Sequence, residues 1–108
     1  MTAKFLRANS VLSYVAAADI ASGDAVLVGA RVGCALLAIA SGAPGPISMR
    51  GVFRIAKVSG DDIGQGALVY WDDTAKKMTT DDSGNTLAGF AFAAAGVGVL
   101  TVDVSLNA

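Results

Sequence analysis

Leu100-Thr101-Val102-Asp103-Val104-Ser105-Leu106 alternates without a break: Leu100, Val102, Val104 and Leu106 share one face, Thr101, Asp103 and Ser105 the other. Only an extended chain puts side chains two apart on the same side, so this stretch reads as a half-buried strand paired into a sheet. Residues 47–55 repeat the pattern. Ile47, Met49, Gly51, Phe53 and Ile55 fall on one face, and Ser48, Arg50, Val52 and Arg54 on the other. Further short apolar segments occur at 11–18, 25–29, 32–39, 67–71 and 87–93, each bounded by residues that favour turns.

The punctuation is Ser22-Gly23-Asp24, Ala43-Pro44-Gly45-Pro46, Ser59-Gly60-Asp61-Asp62, residues 72–77, Asp81-Asp82-Ser83-Gly84-Asn85 and Gly96-Val97-Gly98. Many short strands at such spacing predict an all-β fold, a small antiparallel β-barrel or sandwich. The Ala-rich stretches 15–18 and 92–95 have helix propensity, but their glycine and β-branched neighbours favour strand or loop. An internal echo points to two similar β units. Asp19-Ile20-x-x-Gly23-x-x-Val26 recurs as Asp62-Ile63-x-x-Gly66-x-x-Val69, and a glycine-led strand follows each, Gly51-Val52-Phe53 in the first and Gly89-Phe90-Ala91 in the second. The expected organisation is an extended N-terminal arm, residues 1–10, followed by one β domain, residues 11–108.

At 108 residues the chain has room for one core. Its residues are 54% apolar, its mean hydropathy is +0.58, and charged residues make up 16%, against about 25% in ordinary soluble domains. Much of the apolar excess is alanine, and only 6% of residues are aromatic. Small side chains suit closely approaching backbones, and the excess points to self-association. Eight Lys and Arg residues balance nine acidic ones with no basic cluster, which excludes the footprint of a direct nucleic-acid binder. Every acidic residue is Asp, the carboxylate that favours turns over helices.

No apolar run of signal-peptide length follows Lys4 and Arg7, because Asn9, Ser10 and Ser13 interrupt it, so synthesis in the cytoplasm is expected. The uncharged stretch 32–49 is interrupted by Pro44-Gly45-Pro46, and no membrane span is expected. Cys34 stands alone among Val32, Gly33, Ala35 and Leu36, so it reads as a small buried apolar residue.

Catalytic chemistry finds no foothold. Histidine is absent, and with it the commonest general base and metal ligand. The doublets Asp61-Asp62, Asp72-Asp73 and Asp81-Asp82 fall in turns, and Asp81–Asn85 lacks the spaced ligands and closing Glu of a calcium loop. Gly64-Gln65-Gly66 and Gly96-Val97-Gly98 continue neither as a dinucleotide fingerprint nor as a phosphate-binding loop. No enzyme activity, cofactor or metal is expected.

The candidate functional residues are interface residues. Lys4, Phe5, Leu6 and Arg7 lie in the arm, which is suited to lying on a neighbouring subunit by strand addition. Arg50 and Arg54 fall on one outward face about 13 Å apart, suited to an acidic neighbour. Tyr70 and Trp71 are adjacent on a strand and point to opposite sides, one to the core and one to a rim or interface.

Ile20-Ala21-Ser22-Gly23-Asp24-Ala25-Val26-Leu27-Val28-Gly29, then Gly51-Val52-Phe53, then Gly64-Gln65-Gly66-Ala67-Leu68-Val69-Tyr70-Trp71-Asp72, then Gly84-Asn85-Thr86-Leu87-Ala88-Gly89-Phe90-Ala91 and a closing Val102-Asp103-Val104-Ser105-Leu106 together resemble the phage capsid cement, or head decoration, proteins. The resemblance runs from about Ser10 to Leu106 and rests on the order of several motifs. It implies an all-β, commonly trimeric, non-enzymatic protein of the virion that binds the major capsid protein on the outside of an assembled head and strengthens it against packaged DNA. The run from Arg31 to Ile39 departs from the family pattern by being more apolar. A β-fold binding module of a tail or receptor-recognition apparatus is the alternative.

Overall fold

The structure is a computed structural model and describes residues 11–107. All nine elements are strands: β1 (Val11–Val15), β2 (Ala25–Val28), β3 (Arg31–Ala35), β4 (Pro44–Ser48), β5 (Val52–Ala56), β6 (Leu68–Asp72), β7 (Lys77–Thr79), β8 (Thr86–Ala91) and β9 (Thr101–Leu106). They form two antiparallel sheets, ordered β1-β4-β3-β2 and β5-β9-β8-β6-β7. No described residue is helical, and both Ala-rich stretches are loop.

Each sheet is one copy of a repeated unit, and backbone hydrogen bonds show the correspondence. Ile20 and Ile39 exchange two bonds of 2.8 Å, and Ile63 and Ala95 exchange bonds of 2.9 and 2.8 Å. Gly23 donates to the Ala35 carbonyl as Gly66 donates to that of Ala91, both at 2.8 Å; Gly42 donates to Ala16 as Gly98 donates to Ser59, both at 2.7 Å. Ala16, Ile20 and Gly23 each precede their partners Ser59, Ile63 and Gly66 by 43 residues, and Ala35, Ile39 and Gly42 precede Ala91, Ala95 and Gly98 by 56. The wider second offset arises because the Gly29-Ala30 turn between β2 and β3 is replaced, between β6 and β8, by a segment that contains β7.

β7 changes what its unit becomes. Val58 donates to the Met78 carbonyl at 3.0 Å, and Lys57 and Met78 form a parallel bridge, so the second sheet curls until its outer strands β5 and β7 meet. Among the described residues the first unit has no counterpart of β7 and is an open, curled four-stranded sheet. Two buried clusters follow. Ala16, Val26, Ala35, Ile39 and Ile47 fill the concave side of the first sheet. Val32 and Cys34 on its opposite side pack with Ile55, Ile63, Val69, Trp71, Met78, Val102, Val104 and Leu106 inside the second. Each fully buried Val, Leu or Ile contributes roughly 1.5–3 kcal/mol. Asn107 fastens the seam, its Nδ2 donating to the carbonyls of Val32 at 2.9 Å and Met49 at 2.7 Å.

Three sequence expectations need correction. The alternating run 47–55 is not one strand: β4 ends at Ser48, Gly51 takes a φ of 115°, and the chain enters the other sheet at Val52. Pro44-Gly45-Pro46 is not a turn but most of β4. Counting the alternation from the Ala16 N–H bond to the Ala43 carbonyl, Gly45 and Ile47 face β1 with their amides, and the prolines face away, where β3 has ended apart from its last two partners. Finally, Gly51-Val52-Phe53 opens the second unit instead of closing the first, and the counterpart of Gly89 is Gly33.

Both of these last glycines are demanded by close approach. A Cβ on Gly33 would collide with the Ile47 side chain, and one on Gly89 with the backbone oxygen of Ser105 on β9. Backbone cannot rotate aside as a side chain can. Gly89→Ala is expected to destabilise the fold by about 3 kcal/mol, read as a lower midpoint in urea with unchanged slope.

Candidate interaction surfaces

Strand alternation sends Phe53 and Ile55 inward from β5 and leaves Val52, Arg54 and Ala56 outward. Cross-strand register then assembles an apolar row over the outer face of the second sheet. Val52 lies opposite Ser105, Ser105 opposite Phe90, and Phe90 opposite Leu68. Tyr70 and Leu87 form the neighbouring pair. Leu68 is 56% exposed, and Val52 and Leu87 are exposed as well, so this row is a broad face with apolar content and not a set of isolated side chains.

A second exposed apolar element is the loop 92–100, with Phe92 54%, Val97 69% and Leu100 68% exposed. It is held from beneath. Lys57, 1% exposed, extends from the end of β5, and its ammonium donates to the carbonyls of Val58, Gly96 and Val99 at 2.9, 3.2 and 3.0 Å. Its three hydrogens thus meet three carbonyl acceptors, of which Val58 and Gly96 also accept the amides of Asp61 and Val99, both at 3.1 Å. Gln65 Nε2 adds a bond to the Phe92 carbonyl at 3.2 Å. In the first unit the corresponding loop exposes Leu36 and Leu37, and Tyr14 stands at the position matching Lys57.

Between the units runs a cleft of about 650 Å³ lined by Tyr14, residues 17–20, residues 23–27, residues 54–56, Trp71, Asp73 and Lys76. Its floor is apolar and its rim charged. Arg54 forms an ion pair with Asp103 at 2.9 Å, and Lys76 one with Asp73 at 2.9 Å. Asp73 also accepts the Trp71 indole N–H at 3.0 Å. The Lys76 bond, and secondarily the Trp71 bond, hold the Asp73 carboxyl below its ordinary range. The Arg54 bond likewise lowers Asp103, and Asp103 raises Arg54 in return.

Three further aspartates cap turns, and Asp19 Oδ1 accepts the Ser41 amide across the first unit at 2.8 Å. Asp72 Oδ1 accepts the amides of Thr74 and Ala75, Asp81 Oδ1 that of Ser83, and Asp24 Oδ2 that of Ala21. Asp61 Oδ2 takes the Thr79 hydroxyl at 2.7 Å and the Thr80 amide at 3.1 Å, which latches the loop onto β7. A longer Glu side chain would overshoot these local acceptor positions, which suits Asp to these turns.

Among the described residues no three His, Cys, Asp or Glu side chains gather as a metal site would require. The geometry offers exposed apolar surface on a hydrogen-bonded frame. The profile of the phage cement proteins matches residues 6–106. This chain belongs to the phage cement protein family. Cement proteins are structural components associated with the phage capsid, of a non-enzymatic kind, and the family places this chain among virion proteins. No curated protein and no solved structure matched the chain.

Within this cement fold the expected interface residues are dispersed. Lys4, Phe5, Leu6 and Arg7 lie outside the described residues. Arg50 and Arg54 do not share a strand face, because the sheet change at Gly51 separates them: Arg50 sits in the bend beside Arg31, Met49 and Asn107, and Arg54 on β5 lines the cleft. Trp71 is the inward member of its pair at 4% exposure, and Tyr70 is the half-buried outward one. Cys34 is buried with its Sγ directed to the Gly23 carbonyl at 3.4 Å, and burial, reinforced by the Asp24 carboxylate, pushes its thiol pKa up. Lys57 was not expected as a buried residue, although its phase with Phe53 and Ile55 marks the inward face.

Lys57→Met keeps the stem and removes the donors, so it is expected to lower stability by about 2–4 kcal/mol and to speed hydrogen exchange in residues 96–100 above the rest of the chain. A carboxyl with a depressed folded pKa stabilises fully above its unfolded value and loses that contribution as pH falls through the folded value. The fluorescence of Trp71, the single tryptophan, is therefore expected to change on acidification with a midpoint below the ordinary aspartate range, and the Asp73→Asn variant to lack that step.

Proposed function

We propose that this cement protein binds the outside of an assembled phage head and stabilises it, using the apolar outer face of the second sheet and the loop 92–100 against the major capsid protein. The observation that carries this reading is the pairing of exposed Val97, Val99 and Leu100 with a buried Lys57 that fixes their backbone. Such a loop is pre-organised, so docking it loses little conformational freedom. The low charge density of the chain limits the desolvation cost of covering these surfaces.

Self-association, as a trimer, completes the reading. Three copies touching adjacent capsid subunits multiply weak contacts, because once one copy is docked the others bind at high effective concentration. Residues 1–10 fit the role of an arm that extends onto a neighbour, with Phe5 and Leu6 as apolar contacts between Lys4 and Arg7.

The test is co-sedimentation with undecorated heads. Wild-type protein is expected to pellet with the heads and to raise their resistance to heat, and Leu100→Asp and Leu68→Asp to weaken binding at least about tenfold while retaining wild-type melting behaviour. Absence of wild-type protein from the pellet, or full binding by both variants, would remove this assignment of the surface.

A further inference from the structure

The cleft lies where, among the described residues, the first unit lacks a strand that the second unit possesses. In the second unit β7 fills the space between β6 and β5, pairing with β6 through Tyr70–Thr79, Trp71–Met78 and Asp72–Lys77 and reaching Lys57 by a parallel bridge. The 43-residue correspondence carries these positions onto Leu27, Val28, Gly29 and Tyr14. Leu27 and Tyr14 line the cleft. Among the described residues β1 pairs only with β4 and β2 only with β3, so the facing edges of both strands carry backbone groups able to pair.

We propose that Lys4-Phe5-Leu6-Arg7 of a second copy of this chain enters the cleft as an exchanged strand and closes the first unit as β7 closes the second. The segment resembles β7 in chemistry: Lys77-Met78-Thr79 places one large apolar side chain beside a lysine, and Met78 is fully buried. Phe5 takes the Met78 position near Tyr14, and Leu6 faces Leu27. Running in the direction of β7, parallel to β1, the segment brings Arg7 to the end of the cleft that holds Asp19 and Asp24. Neither carboxylate is in an ion pair among the described residues, whereas Arg54 and Lys76 on the same rim are already matched.

Chain length assigns the segment to a second copy. Arg7 beside Ala16 would stand five strand residues, roughly 17 Å, from Val11, plus about 5 Å sideways to the next strand. The four steps from Arg7 to Val11 span at most about 13–14 Å. A chain therefore cannot place its own residues 4–7 in this direction. The inference rests on the self-association part of the proposed function and not on head binding.

The test uses full-length protein with Cys34→Ala and either Leu6→Cys or Leu27→Cys. Mixed under mild oxidation, the two variants are expected to yield a covalent pair of chains, absent when either is oxidised alone with glutathione present. Phe5→Asp is expected to weaken self-association about tenfold or more by sedimentation velocity while the melting of the chain's own core persists. A chain that carries both cysteines and closes a disulfide within itself would show that the segment folds back, and overturn the exchange. An oligomer that forms without cross-linking would also overturn it while leaving self-association standing. A wild-type monomer at all concentrations would overturn both.

Discussion

The structure depends on the seam at β3. Val32 and Cys34 point out of the back of the first sheet into the interior of the second, and Ala35, their neighbour, points the other way into the first unit's own core. From Val32 to Ala35 the strand is buried on both faces and has no polar side to offer water, which explains the apolar run that follows the exposed Arg31. Remove the second unit and that back face becomes exposed apolar surface. Remove the first and the interior around Trp71 and Met78 loses part of its cover. The two halves are mutually obligatory, and Asn107 ties them at the chain's far end, bonding across to Val32 and Met49.

Within that frame a single insertion differentiates two otherwise matching units. Both use the same bridges and the same pairs of left-handed glycines, Gly23 with Gly66 and Gly42 with Gly98. One gains β7 and closes on itself; the other stays open, and its opening is the cleft. Asymmetry of shape thus arises from one segment added to a symmetric plan, with the cleft placed where the plan is incomplete.

Much of the fold was legible because period-two alternation is a direct consequence of an extended backbone. β9 is read correctly to the residue at its C-terminal end, and Tyr70 and Trp71 do face opposite ways. The β4–β5 junction was not legible, since the alternation continues in phase across Met49 and Gly51 while the backbone leaves one sheet for another. The prolines of β4 misled for a related reason: they signal turns except where no neighbouring strand needs their amides. The repeat was visible only in one loop, because elsewhere its two copies share backbone hydrogen bonds and not side chains. Of the candidate surfaces, the apolar loops show in the sequence, but the register that gathers Val52, Phe90 and Leu68 depends on pairings between distant strands.

The exchange of Lys57 in one unit for Tyr14 in the other carries a mechanical consequence. Three carbonyls gathered by one ammonium make the 92–100 loop stiff, so that a load applied through Val97 or Leu100 passes straight into the closed barrel. The loop around Leu36 and Leu37 is held instead by neutral bonds, Ser22 Oγ donating to the Leu36 carbonyl at 3.2 Å and Ser41 Oγ to that of Ala17 at 3.3 Å. The same loop position is thus braced by a buried charge in one unit and by exposed hydroxyls in the other.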